Sequence, residues 1–146
     1  MNTRMKIAFG CYCFSGLLLV GFGVVYLFRP EFMPYHSVAV GMPWADVPPN
    51  FQVLILALMK GVGGAAIALA LALYVILLMP FRQGARWAVL SVPILGLVQS
   101  AAAFYSMSHV ALHTAASPPL WAPAAGVLLT VVAFVLSVSG QKQAGV

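Results

Sequence analysis

Four long apolar runs constrain this chain more than any other feature. They cover residues 7–28, 51–79, 87–107 and 120–138, and each is long enough for a helix to cross the hydrocarbon core of a bilayer, which needs about 20 residues. Only 6% of the 146 residues are charged, whereas roughly a quarter are charged in a soluble domain. The sequence therefore predicts an all-α fold, in which residues 1–146 form a single four-helix transmembrane bundle.

The basic residues predict how this bundle is oriented. If the chain crosses the membrane four times, Arg29 is the one basic residue in the connections on one side, directly after the first run. Five others fall on the opposite side, and these are Arg4, Lys6, Arg82, Arg86 and Lys142. Because short cytoplasmic segments carry an excess of Lys and Arg, we expect both termini to be cytoplasmic. The chain is accordingly predicted to be a multi-pass membrane protein with both ends on the cytoplasmic side.

The connection between the first two runs, residues 29–50, is long and has an unusual composition. It contains five prolines together with Phe32, Tyr35 and Trp44. Loops of this length are usually either functional or disordered, and an apolar, aromatic composition is not typical of disorder. We therefore predict an ordered lid, residues 29–50, on the outer face of the bundle. Tyr35 and Trp44 are candidate ligand-binding residues beneath it.

Lys60 lies inside the second apolar run, where an ionisable side chain suggests a function. Spacing along the antiparallel runs predicts that Gln99, Ser100 and Thr130 reach a similar depth. Lys60 and Gln99 are therefore candidate residues for a ligand or proton site in the outer half of the bundle. In the alternative interpretation, Lys60 extends along its own stem to the outer interface and Gln99 bonds to a neighbouring helix.

The histidines suggest a second kind of site. His109 and His113 are four residues apart, so they share one face if the third helix continues past the membrane. With His36, Glu31 or Asp46 from the lid they could supply ligands to zinc, copper or non-haem iron. The sequence has no H-E-x-x-H or comparable signature, and surface histidines are the alternative interpretation.

Other functional signatures are missing from the sequence. It contains no nucleophile elbow, P-loop or dinucleotide-binding motif, and the glycines of KGVGGA lie inside an apolar run. The basic residues are too few and too scattered to predict nucleic acid as a partner. Cys11 and Cys13 point to opposite sides of a helix, which disfavours a disulfide between them. No cofactor is identified by these patterns.

Several segments resemble those of small bacterial four-helix membrane proteins, which are similar in size and topology to DoxX-like families. The segments are FMPYH, Trp44, LALMKGVGG, PFRQGARWA and SPPLW, and together they extend from the lid to Trp121. The resemblance implies the four-span topology. It implies no catalytic residues and no cofactor.

Together with the resemblance, these observations favour a non-enzymatic protein of the bacterial inner membrane. We expect either an accessory or assembly subunit, or a protein that binds a lipid-like molecule or a quinone under the lid. The expected partners are the lipid bilayer, further copies of the chain, or a larger membrane complex. The alternative is a small membrane oxidoreductase or metal-dependent enzyme that uses the outer histidines.

Overall fold

A computed structural model describes the backbone of residues 1–143 and the side chains of residues 1–141. The side chain of Lys142, one of the basic residues that predict the orientation, lies outside the described part. In chain order the α-helices are α1 Thr3–Phe28, α2 Pro34–Val40, α3 Pro49–Ile76, α4 Arg86–His113 and α5 Trp121–Gln143. A 3-10 turn covers Trp44–Asp46 and a π-helical turn, Leu77–Phe81, prolongs α3. Residues 1–143 contain no strand, which confirms the predicted all-α fold.

Four of the helices are long and apolar enough to cross a membrane: α1, α3 with its π-helical turn, α4 and α5. Large apolar side chains are exposed on their outward faces, among them Leu17 (60%), Val98 (65%) and Leu128 (65%). Such faces are stable in lipid and not in water. By length and composition the chain is therefore a multi-pass membrane protein.

The helices pack in a definite order. Helix α1 contacts both α3 and α5, and α5 contacts α4, whereas α3 and α4 approach each other mainly at the π-helical turn. We call the end of the bundle that holds Asn2 and Gly140 the terminal end, and the opposite end the lid end. Helices α3 and α4 are thus neighbours at the terminal end and are not closely packed towards the lid end.

Helices α1 and α3 cross at a pair of glycines. A Cβ atom at Gly63 would lie 2.7 Å from the carbonyl oxygen of Gly23 and 2.8 Å from the backbone nitrogen of Leu27. Along the same interface, the Tyr74 hydroxyl donates a hydrogen bond of 2.8 Å to the carbonyl oxygen of Cys13. Small residues let membrane helices approach this closely, and the contact sets the vertical alignment of α1 and α3.

The larger of the two buried apolar clusters includes Met5, Tyr12 and Phe81 and extends to the terminal end. Phe81 is fully buried, and its ring meets that of Tyr12 edge-on with ring centroids 5.7 Å apart. Asn2 Nδ2 donates a hydrogen bond of 2.8 Å to the carbonyl oxygen of Gly140, and Gln141 Nε2 donates one of 2.8 Å to that of Gly84. These two bonds tie α5 to the start of α1 and to the turn before α4.

The lid is ordered, as the sequence predicts. Phe32 and Val47 are buried with Met59 of α3 in a separate apolar cluster. Gln52 Nε2, in the first turns of α3, donates hydrogen bonds of 3.0 Å to the carbonyl oxygens of both Trp44 and Val47. The lid therefore packs on the part of α3 nearest to it.

Candidate functional site

A cavity of about 240 Å³ lies between α1, α4 and α5. Helix α3 contributes Leu73 to its wall, and Trp121 and Met107 line it towards the lid end. Most of the wall is apolar and includes Leu18, Leu19, Phe22, Ala103 and Pro123. Leu73 is the one α3 residue among the described lining residues, and α3 and α4 make few contacts with each other outside the π-helical turn.

Four polar side chains also line this cavity. Ser15 comes from α1, Gln99 and Ser100 from α4, and Thr130 from α5. Each lies near the middle of its helix. The Ser15 Oγ atom is buried and has no hydrogen-bond partner among the described residues. A buried polar atom without a partner is costly, and this one lies in the wall of a cavity that could supply a partner.

Glycines bring the polar side chains of α4 and α5 into the seam between these helices. A Cβ atom at Gly96 would lie 3.2 Å from Thr130 Oγ1, and one at Gly126 would lie 2.9 Å from Ser100 Oγ. Larger residues at these two positions would push the helices apart or displace the hydroxyl groups. The local sequence thus determines where the polar atoms lie.

Lys60 is not part of this group. It is exposed on α3 and is absent from the described residues that line the cavity. Gly63 contacts Tyr26 and Leu27 near the end of α1, and Lys60 lies almost one turn closer to the lid end. The structure therefore brings Gln99, Ser100 and Thr130 together with Ser15, and it places Lys60 beside the lid end of α1.

The two candidate ligand-binding residues of the lid also lie elsewhere. The Tyr35 hydroxyl hydrogen-bonds to that of Tyr26 at 2.9 Å. The ring of Trp44 meets that of Phe32 edge-on, with centroids 4.8 Å apart. Both side chains stabilise the lid itself, so Gln99 alone among the predicted ligand-binding residues lines the cavity.

The predicted metal site is not assembled. Within residues 1–141, no three His, Cys, Asp or Glu side chains lie close enough to hold a metal ion. His109 and His113 are exposed at the lid end of α4, with ring centroids 4.2 Å apart. His36 lies in the lid, which packs on α1 and α3, and Glu31 pairs with Arg29 at 3.5 Å. His109 and His113 therefore lie together on α4, whereas His36 and Glu31 lie in the lid.

His36 is packed within the lid. Its ring centroid lies 4.3 Å from that of Tyr35, and its Nδ1 atom accepts a hydrogen bond of 3.4 Å from the backbone N–H of Met33. Burial, and to a smaller extent the positive charge of Arg29, lower the pKa of His36 below its usual 6.5. The neutral ring, which keeps the lone pair on Nδ1, is the form that fits this position.

No family model, curated protein or solved structure matches this chain. The similarity to DoxX-like proteins therefore stays a prediction, and the functional argument depends on the geometry of the cavity.

Sequence reasoning missed Ser15. A single serine in an apolar run is common and can bond to its own helix, so nothing in the pattern distinguishes this one. Only the structure shows that its hydroxyl group is buried in the wall of the cavity, without a partner among the described residues.

Proposed function

We propose that this membrane protein binds a lipid-like molecule from the bilayer in the cavity between α1, α4 and α5. The observation that carries the proposal is the unpartnered, buried hydroxyl group of Ser15 in a largely apolar cavity. An unpaired polar group in such surroundings costs roughly 1–3 kcal/mol. A ligand atom that bonds to Ser15 removes this cost, while the apolar wall stabilises the rest of the ligand.

Access from the bilayer supports the same proposal. Helices α3 and α4 meet mainly at the π-helical turn, so a lipid can approach between them towards the lid end without crossing the closely packed terminal end. The lid packs on α1 and α3 and supplies none of the described residues that line the cavity. We therefore propose entry from the side, through the membrane, and not from beneath the lid.

The chemistry of the wall favours binding over catalysis. Its polar groups are hydroxyls and one amide, and an uncharged hydroxyl needs an adjacent base to act as a nucleophile. The described lining residues include no Asp, Glu, His, Lys or Arg. A non-enzymatic carrier or accessory protein with a bound lipid-like molecule is the function that this arrangement supports best.

Mass spectrometry of the protein purified in native lipid nanodiscs tests the proposal. We expect a bound molecule that survives washing in the natural protein and is lost in Ala103→Phe, which fills the cavity. Ala102→Phe is the matched control, because Ala102 is exposed on the same helix and does not line the cavity. Equal amounts of bound molecule in the two variants, or none in the natural protein, would overturn the proposal.

A further inference from the structure

The depth of the polar groups restricts what the cavity can hold. Ser15, Gln99 and Thr130 lie near the midpoints of three membrane-spanning helices. The hydrocarbon core is about 30 Å thick, so these groups lie about 15 Å from either headgroup region. A phospholipid keeps its polar end at the interface. The molecule that satisfies Ser15 must instead place a polar end at the middle of the bilayer.

The charge of the cavity restricts the occupant further. Its described lining residues carry no ionisable acid or base, and Lys60, the charged residue of α3, is exposed outside it. Moving a phosphate, a carboxylate or an ammonium group to this depth without a partner of opposite charge is strongly unfavourable. The polar end of the occupant is therefore neutral.

The arrangement of hydrogen-bonding groups indicates a flat head with acceptors on more than one edge. Ser15 approaches from α1, Gln99 from α4 and Thr130 from α5. Each can donate a hydrogen bond, and the Gln99 amide can donate two. Carbonyl oxygens on opposite edges of one ring can accept from different walls at once, whereas a long-chain alcohol has a single polar atom.

From this geometry we infer that the occupant is an isoprenoid quinone, with its ring among Ser15, Gln99 and Thr130 and its tail leaving past Met107 and Trp121. The inference rests on the proposed function and names the ligand class of the same cavity. It concerns binding alone, and no electron transfer is part of it. A volume of about 240 Å³ holds a substituted ring and not a whole phospholipid.

Trp121 provides a direct test, since it lines the cavity and quinone rings quench tryptophan fluorescence on contact. The chain has 3 tryptophans, so Trp44→Phe with Trp87→Phe leaves Trp121 as the reporter. Titration of this variant in nanodiscs with a short-tailed ubiquinone or menaquinone is expected to give saturable quenching. Ser15→Ala and Gln99→Leu should each raise the Kd by about 3- to 10-fold, as expected for one lost hydrogen bond.

Ser106→Ala is the matched control. Ser106 is exposed on α4 and its hydroxyl bonds to the carbonyl oxygen of Ala102 in its own helix, so the Kd should not change. Quenching that does not saturate, or that Ser15→Ala and Gln99→Leu leave unchanged, overturns the quinone inference. If mass spectrometry then finds a bound lipid of another class that is lost in Ala103→Phe, the inference fails and the proposed function stands. If it finds no bound molecule, both fail.

Discussion

Replacing Gly63 with alanine tests the packing argument most directly. The new Cβ atom would lie 2.7 Å from the carbonyl oxygen of Gly23 and 2.8 Å from the backbone nitrogen of Leu27, whereas ordinary contact begins at 3.4 Å. Helices α1 and α3 must therefore move apart by about 0.7 Å at this level, as in other cases of overpacking. Both atoms belong to backbone, so neither can rotate out of the way.

The expected cost follows from this geometry. Overpacking a well-packed interface costs about 1–3 kcal/mol. Because the new Cβ atom meets backbone atoms, which cannot rotate away, Gly63→Ala should lie in the upper half of that range. Separation of the helices also strains the hydrogen bond from Tyr74 to Cys13 on the same interface. We expect a loss of about 2–3 kcal/mol in the free energy of unfolding, which is a 30- to 150-fold change in the equilibrium constant.

Reversible unfolding in mixed detergent micelles of increasing SDS content, followed by circular dichroism, measures this loss. Gly64→Ala is the matched control, because a Cβ atom at the neighbouring position has no atom within 4 Å. That variant should change stability by no more than about 0.5 kcal/mol or should gain from the higher helix propensity of alanine. If Gly63→Ala is as stable as Gly64→Ala, the close crossing of α1 and α3 is wrong.

Three further predictions concern the lid and the orientation of the chain. The pKa of His36 is lowered in the fold, so the unfolded lid binds the proton more readily. Lid stability should therefore fall as the pH drops below about 6.5. After correction for the intrinsic pH dependence of amide exchange, the amides of residues 32–47 should be less protected at pH 5.5 than at pH 7.5, and this difference should shrink in His36→Gln. Gln52→Glu keeps the shape of the side chain but removes the donor of the hydrogen bonds to Trp44 and Val47. Limited proteolysis should therefore cut the lid faster in this variant than in Gln83→Glu, a control at an exposed position. Equal cleavage rates in the two variants would contradict the role of these two bonds. If the termini are cytoplasmic, a cysteine introduced at Ser37 should react with a membrane-impermeant maleimide in intact cells, whereas a cysteine introduced at Gln83 should not react. The reverse pattern would refute the predicted orientation.

The four-helix architecture could be predicted from the sequence because hydropathy alone decides it. An apolar run of about 20 residues has to bond its backbone internally in lipid, and a helix does so without help from the rest of the chain. The order of the lid was also predictable, since Phe32 and Trp44 supply enough apolar surface for it to pack on α3. The helices extend beyond the predicted spans, as α4 does from Met107 to His113, because a helix does not have to end where the membrane does.

The candidate site depended on the tertiary structure. Spacing along the runs put Lys60 at the depth of Gln99, but the glycine crossing of α1 and α3 places Lys60 near the lid end of the bundle. The spacing of residues along the sequence also could not show whether His36 of the lid lies close to His109 and His113 of α4.

Sequence by itself therefore determined which segments of this protein enter the membrane. Only the tertiary structure decided which faces meet, and so which polar groups share a cavity. The physical reason is that lipid solvates every face of an apolar helix almost equally. Close contacts, such as those at Gly63, Gly96 and Gly126, decide which helix faces pack together. A pattern of hydropathy does not contain this information.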